Sequence, residues 1–223
     1  MNALTRKLVV REFYMHRWMI AASIVAGLAG LGVVTRGGIV NFNVGFLVWL
    51  TTIAAFGAVV AMFGIATERK ERVINWILSL PISPGDYVRI KVLALLLCFL
   101  VPWSILCASA LTVVVAAPDI PDGLLPFTVL LSVFLLLNYS FVVCSALHLR
   151  SEGQMTIAII VHNIGITLFI FAVATVDGIQ RHLYGPVPVW NSAFWCVLAI
   201  ELAVLALLLA LPWFVAARRR DFV

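Results

Sequence analysis

Six runs of apolar residues, each roughly twenty residues long, set the terms on which this chain can fold. They lie at about 18–34, 44–66, 92–116, 127–147, 155–176 and 192–216. A hydrocarbon core about 30 Å thick takes roughly 20 residues of α-helix to cross. Inside it every backbone N–H and C=O must be satisfied without water, which a helix achieves within its own segment and an open strand does not. Composition agrees, because 64% of the 223 residues are hydrophobic and only 11% charged. A soluble domain of this size has no room to hide that much apolar surface. The expected fold is therefore all-α: one polytopic membrane domain over residues 1–223, with six transmembrane helices.

Charge placement orients the helices. Thirteen of the fifteen Lys and Arg residues fall in the N-terminal segment, in 67–91, in 148–154 and at the C-terminal end, and only Arg36 and Arg181 lie in the alternate loops. Basic residues accumulate in cytoplasmic loops, which places both termini and residues 67–91 inside the cell. The outer loops then include 117–126, short and acidic with Asp119 and Asp122. They also include 177–191, where Gly185-Pro186-Val187-Pro188 follows a short helix expected from Ile179 to Tyr184. Tyr184, Trp190 and Trp195 suit an interfacial aromatic belt. The net charge of +5 is thus accounted for by topology and anionic headgroups, and nucleic acid is not an expected partner.

Residues 1–17 mix Arg6, Lys7, Arg11 and Arg17 with Leu4, Leu8, Val9 and Phe13. That pattern fits an N-terminal amphipathic surface helix leading into the first span, or a plain basic anchor. The start is read as a retained first span rather than a cleaved signal, since further spans follow. Ala22, Ala26 and Gly30 recur every four residues, as do Gly57 and Ala61, and small residues at that spacing let helix backbones approach. Packing within the chain is the plainer reading of them, ahead of a dimer face.

The most structured polar stretch runs from Glu68 to Lys91, ERKERVINWILSLPISPGDYVRIK. At 100° per residue, Val73, Ile74, Trp76, Ile77, Leu78 and Leu80 share one arc, and Glu68, Glu71, Arg72, Asn75 and Ser79 fill the other. Pro81 ends this helix, because proline has no N–H to continue it. Ser83 then serves as N-cap, Pro84 as first residue and Asp86 as capping-box partner of a second helix that enters the bilayer.

Few residues are equipped for chemistry. No G-x-x-x-x-G-K-[ST], G-x-S-x-G or H-E-x-x-H occurs, so neither a P-loop ATPase nor a familiar hydrolase or zinc centre is encoded. Cys98, Cys107, Cys144 and Cys196 fall in apolar runs without metal or disulfide spacing and read as small hydrophobes. Glu201 lies about nine residues into the last span, roughly 14 Å below the outer surface. A carboxyl at that depth is costly, about 2.5–3.5 kcal/mol on insertion scales for Asp. Asn138 in the fourth span and His162-Asn163 in the fifth are comparable. These four either glue helices together or line one translocation path.

In the stretch just described, the charged helix after the second span, the run LSLPIS and the closing D-Y-V-R-I-K resemble the permeases of ABC-2 type transporters. The residue likeness covers about a tenth of the chain. The topology, with a basic N-terminal helix, six spans and cytoplasmic termini, is similar throughout. The chain is short for that family, with no large extracellular domain and no fused ATPase. The resemblance implies an exporter permease of the bacterial inner membrane that pairs with a second permease subunit, identical or not. It implies two ATPase subunits holding ATP and Mg, while this chain itself holds no cofactor and no metal. It also implies that the loop helix is a cytoplasmic coupling helix, with Glu68, Glu71, Arg72, Asn75 and Ser79 toward the ATPase. Arg150, Ser151 and Glu152, between the fourth and fifth spans, would supply a second contact. The mostly apolar spans point to an amphipathic or hydrophobic cargo such as a peptide, antibiotic, lipid or haem-like molecule. The alternatives are an integral-membrane enzyme built on Glu201 and His162, or a non-transporting assembly or immunity factor.

Overall fold

The computed structural model describes residues 3–67, 84–149 and 151–218, all helices and connecting turns with no strand among them. Helix α1 spans Ala3–Val34 and α2 spans Ile39–Ala61, running on into a π-helical turn, Met62–Thr67. Next come α3 (Pro84–Ala116), α4 (Leu124–His148), α5 (Glu152–Ala174), the short α6 (Asp177–Gln180) and α7 (Ser192–Arg218). Six of these are long and apolar enough to cross a membrane: Arg6–Val34, Ile39–Ile65, Gly85–Ala116, Leu124–His148, Gly153–Ala174 and Ser192–Pro212. The chain is a multi-pass, all-helical membrane protein.

The start of the first span departs from the sequence expectation. Residues 3–17 form no separate element: α1 is one unbroken helix of 32 residues. Nothing in its first 24 residues breaks a helix, since the first glycine is Gly27 and there is no proline. At 1.5 Å per residue α1 is about 48 Å long, well beyond the hydrocarbon thickness. On its outward face Arg17 stacks 4.0 Å from the Tyr14 ring centroid and 5.4 Å from that of Trp18, a cation–aromatic cluster suited to the headgroup level. Helix α3 starts at Pro84, the first residue expected for it, where a fixed φ and a missing N–H cost nothing, with Asp86 in its first turn. The short helix α6 covers Asp177–Gln180 rather than the expected Ile179 to Tyr184, and an acidic side chain in its first turn suits the helix dipole.

Helix α4 is the axis of the bundle, touching α2, α3, α5 and α7. It is apolar nearly all round, as a helix with neighbours on most sides must be. The core around it is aromatic. Phe99 and Tyr139 stack with centroids 3.9 Å apart, Phe56 extends the stack, and a Cβ on Gly57 would come within 3.0 Å of both Tyr139 and Phe99. Three aromatic donors stitch helices by bonding backbone carbonyls: Trp49 Nε1 to Leu106 (3.1 Å), Trp103 Nε1 to Ser132 (2.9 Å) and the Tyr139 hydroxyl to Leu95 (2.8 Å).

Helices α1 and α2 pack backbone to backbone. A Cβ on Gly45 would run into the Gly30 carbonyl oxygen and the Val34 backbone nitrogen, so only glycine permits this crossing. The small-residue row of α1 is offset from the one the four-residue spacing picks out. Ser23, Gly27 and Gly30 face inward, whereas Ala22 and Ala26 are exposed. The turn between the two helices needs Gly37 (φ 72°) and Gly38 (φ 82°), both left-handed.

Candidate functional site

The expected coupling residues Glu68, Glu71, Arg72, Asn75 and Ser79 lie outside the described residues, as do Arg150 and the Glu152 side chain. Of the second expected contact set, Ser151 has a clear structural task. Its hydroxyl accepts from the Gln154 amide at 3.2 Å, and the Gln154 side chain accepts from the Ser151 amide at 3.4 Å. That reciprocal capping box starts α5.

Where α1 begins and α3 starts, the structure assembles a charged cluster that sequence reasoning passed over. Lys91 Nζ lies 2.7 Å from Glu12 Oε1, and both residues are only 4% exposed. His16, one turn further along α1, is 2% exposed and sets its Nδ1 3.9 Å from Glu12 Oε2. That Nδ1 also lies 2.9 Å from the Glu12 backbone oxygen, so it carries the proton and donates. Glu12 Oε2 has no hydrogen-bond partner among the described residues. A cavity of about 10 Å³, room for one water, adjoins the pair between Leu8, Arg11, Tyr87 and Ala94. The sequence did hold a signal. Glu12 is the only acid before Glu68, set among bases and four residues from His16.

The four residues assigned to a translocation path are divided. Asn138 on α4 donates from Nδ2 to the His162 carbonyl of α5 at 3.0 Å, with both residues buried. The His162 ring turns toward the backbone of Ala54 and Asn138, but neither ring nitrogen reaches hydrogen-bond geometry. Glu201 approaches from α7, which packs on α4 and α3; it is 4% exposed and neither carboxyl oxygen has a partner among the described residues. Asn163 is not with them. It faces outward and donates to Ile159 of its own helix at 2.9 Å. Adjacent residues on a helix differ by 100°, so His162 and Asn163 cannot both face the core.

Two buried, unsatisfied groups near mid-span are costly in place. Among the described residues no group of three or more His, Cys, Asp or Glu side chains is placed to hold a metal ion. A wider cavity of about 270 Å³ lies at the opposite end of the bundle from Glu12, between the end of α1 and the end of α3, with Thr35, Thr112 and Asp119 among its lining. Comparison with protein-family models, with curated proteins and with solved structures finds no match to this chain.

Proposed function

We propose that this protein is the permease subunit of an ABC-2-like exporter in a bacterial inner membrane, driven by separate ATPase subunits. The observation that carries the reading is the buried Glu12–Lys91 pair. Lys91 lies seven residues after Pro84, where α3 emerges from the 68–83 segment, and its partner is on α1. A displacement delivered to that segment therefore reaches two spans at once. It enters α3 directly through the backbone and α1 through a buried ion pair that resists separation. The thirteen basic residues clustered in alternate segments support a cytoplasmic orientation for this end of the bundle, where an ATPase would meet it.

In this mechanism, closure of the ATPase pair pushes the segment carrying Glu71, Arg72 and Asn75. Helices α3 and α1 tilt together against α4, and the contacts that bury Asn138, His162 and Glu201 open. Those polar groups then line the route of an amphipathic or hydrophobic cargo. Each subunit contributes half of the route, and ATP with Mg stays in the partner.

Co-purification with candidate ATPases, followed by ATP turnover, tests the reading. A complex should form with the wild-type chain, and the Glu71→Arg/Arg72→Glu double variant should cut turnover in it. No complex, or turnover indifferent to the reversal, would refute it.

A further inference from the structure

Of the six apolar runs, only the last holds an Asp, Glu, Lys or Arg, and it holds one, Glu201. Phe194, Glu201, Leu205 and Pro212 form the buried stripe of α7, since steps of seven, four and seven residues keep to one side of a helix. Glu201 is the polar member of that stripe. Ile200 and Leu202 beside it are exposed, so α7 is a rim helix, apolar toward lipid.

The elements packed on α7 are α4, α3 and the short α6, and among the described residues none of them gives Glu201 a counter-ion. Asp86, Tyr87, Arg89 and Lys91 lie in the first eight residues of α3, His148 ends α4 and Asp177 starts α6. Deeper in the bundle, Tyr139 donates to the Leu95 carbonyl and Cys144 to the Leu208 carbonyl. Cys107 bonds Ser132, and Cys98 sits two turns after Lys91. An ionised carboxyl is untenable in such a place. The group either keeps its O–H or takes a cation from outside the chain.

We propose that Glu201 is an exchange site for a hydrophobic cation. It is a neutral acid while the bundle is closed; as the cation docks, the O–H bond breaks, the proton leaves to water and the carboxylate pairs with the cation. Three observations select this ligand. An anion would meet a carboxyl with no base at that depth, a neutral molecule needs no acid there, and a cation turns an unpaired acid into an ion pair. The cavity of about 270 Å³ at the far end of the bundle repeats the sign, because Asp119 is the charged side chain in its lining, beside Thr35 and Thr112. Helix α7 is also loosely held on its lipid-facing rim. Pro212 has no N–H for the Leu208 carbonyl, which takes the Cys144 thiol at 3.0 Å instead, a weak donor that parts readily. A cargo entering past α7 comes from lipid and is therefore hydrophobic. The inference rests on the proposed function for there being a cargo route, and names the class of cargo.

Binding to the full chain in zwitterionic nanodiscs tests it, with tetraphenylphosphonium as the cation and tetraphenylborate as an anion of the same size. The phosphonium should bind saturably above empty nanodiscs and release a proton for each cation bound into weakly buffered medium. The borate should not saturate. Glu201→Gln imitates the neutral acid and should weaken phosphonium binding about tenfold or more, the loss expected for a contact to a charged group. It should also abolish the proton release, and Glu201→Asp should keep both. Dicyclohexylcarbodiimide, which adds to a protonated acid in apolar surroundings, should label Glu201 in the wild-type chain, and the phosphonium should block it. That labelling decides alone if Glu201→Gln fails to fold. The proposal is overturned by borate binding equal to phosphonium binding, by no saturable phosphonium binding, or by binding without proton release. It is equally overturned by an affinity indifferent to Glu201→Gln, or by a Glu201 that the carbodiimide does not label or the phosphonium does not protect. No ATPase enters these assays, so ATPase co-purification stands or falls separately.

Discussion

Replacing Lys91 by methionine keeps most of its stem and deletes its charge, leaving Glu12 in a buried site with His16, 3.9 Å from Oε2, as its neighbour on α1. At 2.7 Å and an effective dielectric of 20 the gross attraction is about 6 kcal/mol, most of it offset by the desolvation of two ions. Removing one partner of such a pair costs about 3–5 kcal/mol, because the other stays buried and uncompensated. Replacing both by apolar residues of similar volume is close to neutral. Lys91→Met and Glu12→Leu should therefore each destabilise by about 3–5 kcal/mol, and the double variant should recover most of that loss. The coupling energy should be roughly 3 kcal/mol or more. The assay is unfolding in mixed detergent micelles followed by the fluorescence of the seven tryptophans. Single variants costing under about 1 kcal/mol, or a double variant that costs their sum, would refute the reasoning: the pair would then be solvated and unable to carry a displacement from α3 to α1.

Further outcomes follow from individual contacts. Trp49→Phe removes the 3.1 Å bond to the Leu106 carbonyl from a side chain that is 1% exposed, and should lower stability by about 1–3 kcal/mol in the same assay. Gly45→Val drives a side chain into the backbone of Gly30 and Val34 and should cost at least about 1–3 kcal/mol, while Gly165→Ala, whose Cβ would meet nothing within 4 Å, should be neutral or stabilising; equal melting temperatures for the two would contradict the close crossing of α1 and α2. Ser151→Ala removes the cap of α5 and should speed hydrogen exchange at residues 153–156 by an amount corresponding to about 1 kcal/mol; unchanged exchange would show that the cap does not hold the helix start.

What the sequence made legible was set by the bilayer. A run of about 20 apolar residues has one good solution in lipid, so all six spans can be located from the order of residues alone. Their ends cannot. Glu12 and Lys91 read as headgroup-level charges when each is seen among its neighbours in the chain, yet they neutralise one another across 79 positions, a pairing that no local pattern contains. The same limit applies to small and polar residues. A four-residue period marks a row on α1 but not which side faces α2, and the true row, Ser23–Gly27–Gly30, overlaps the expected one only at Gly30. His162 and Asn163 look equivalent as adjacent polar residues in one apolar run, and one is buried while the other faces out. Burial of Asn138 and Glu201 follows from their cost in lipid, whereas their separation onto different helix contacts depends on how α5 and α7 each meet α4.

Coupling of the kind proposed requires residues 68–83 to receive a push from a protein on the inner side of the membrane. A single cysteine at Asn75, in the Cys196→Ser background, can be probed with a maleimide that does not cross membranes. Labelling should occur in inside-out vesicles and not in intact cells, and bound ATPase subunits should slow it. Labelling of intact cells, or labelling of vesicles at a rate the ATPase leaves untouched, would contradict that requirement.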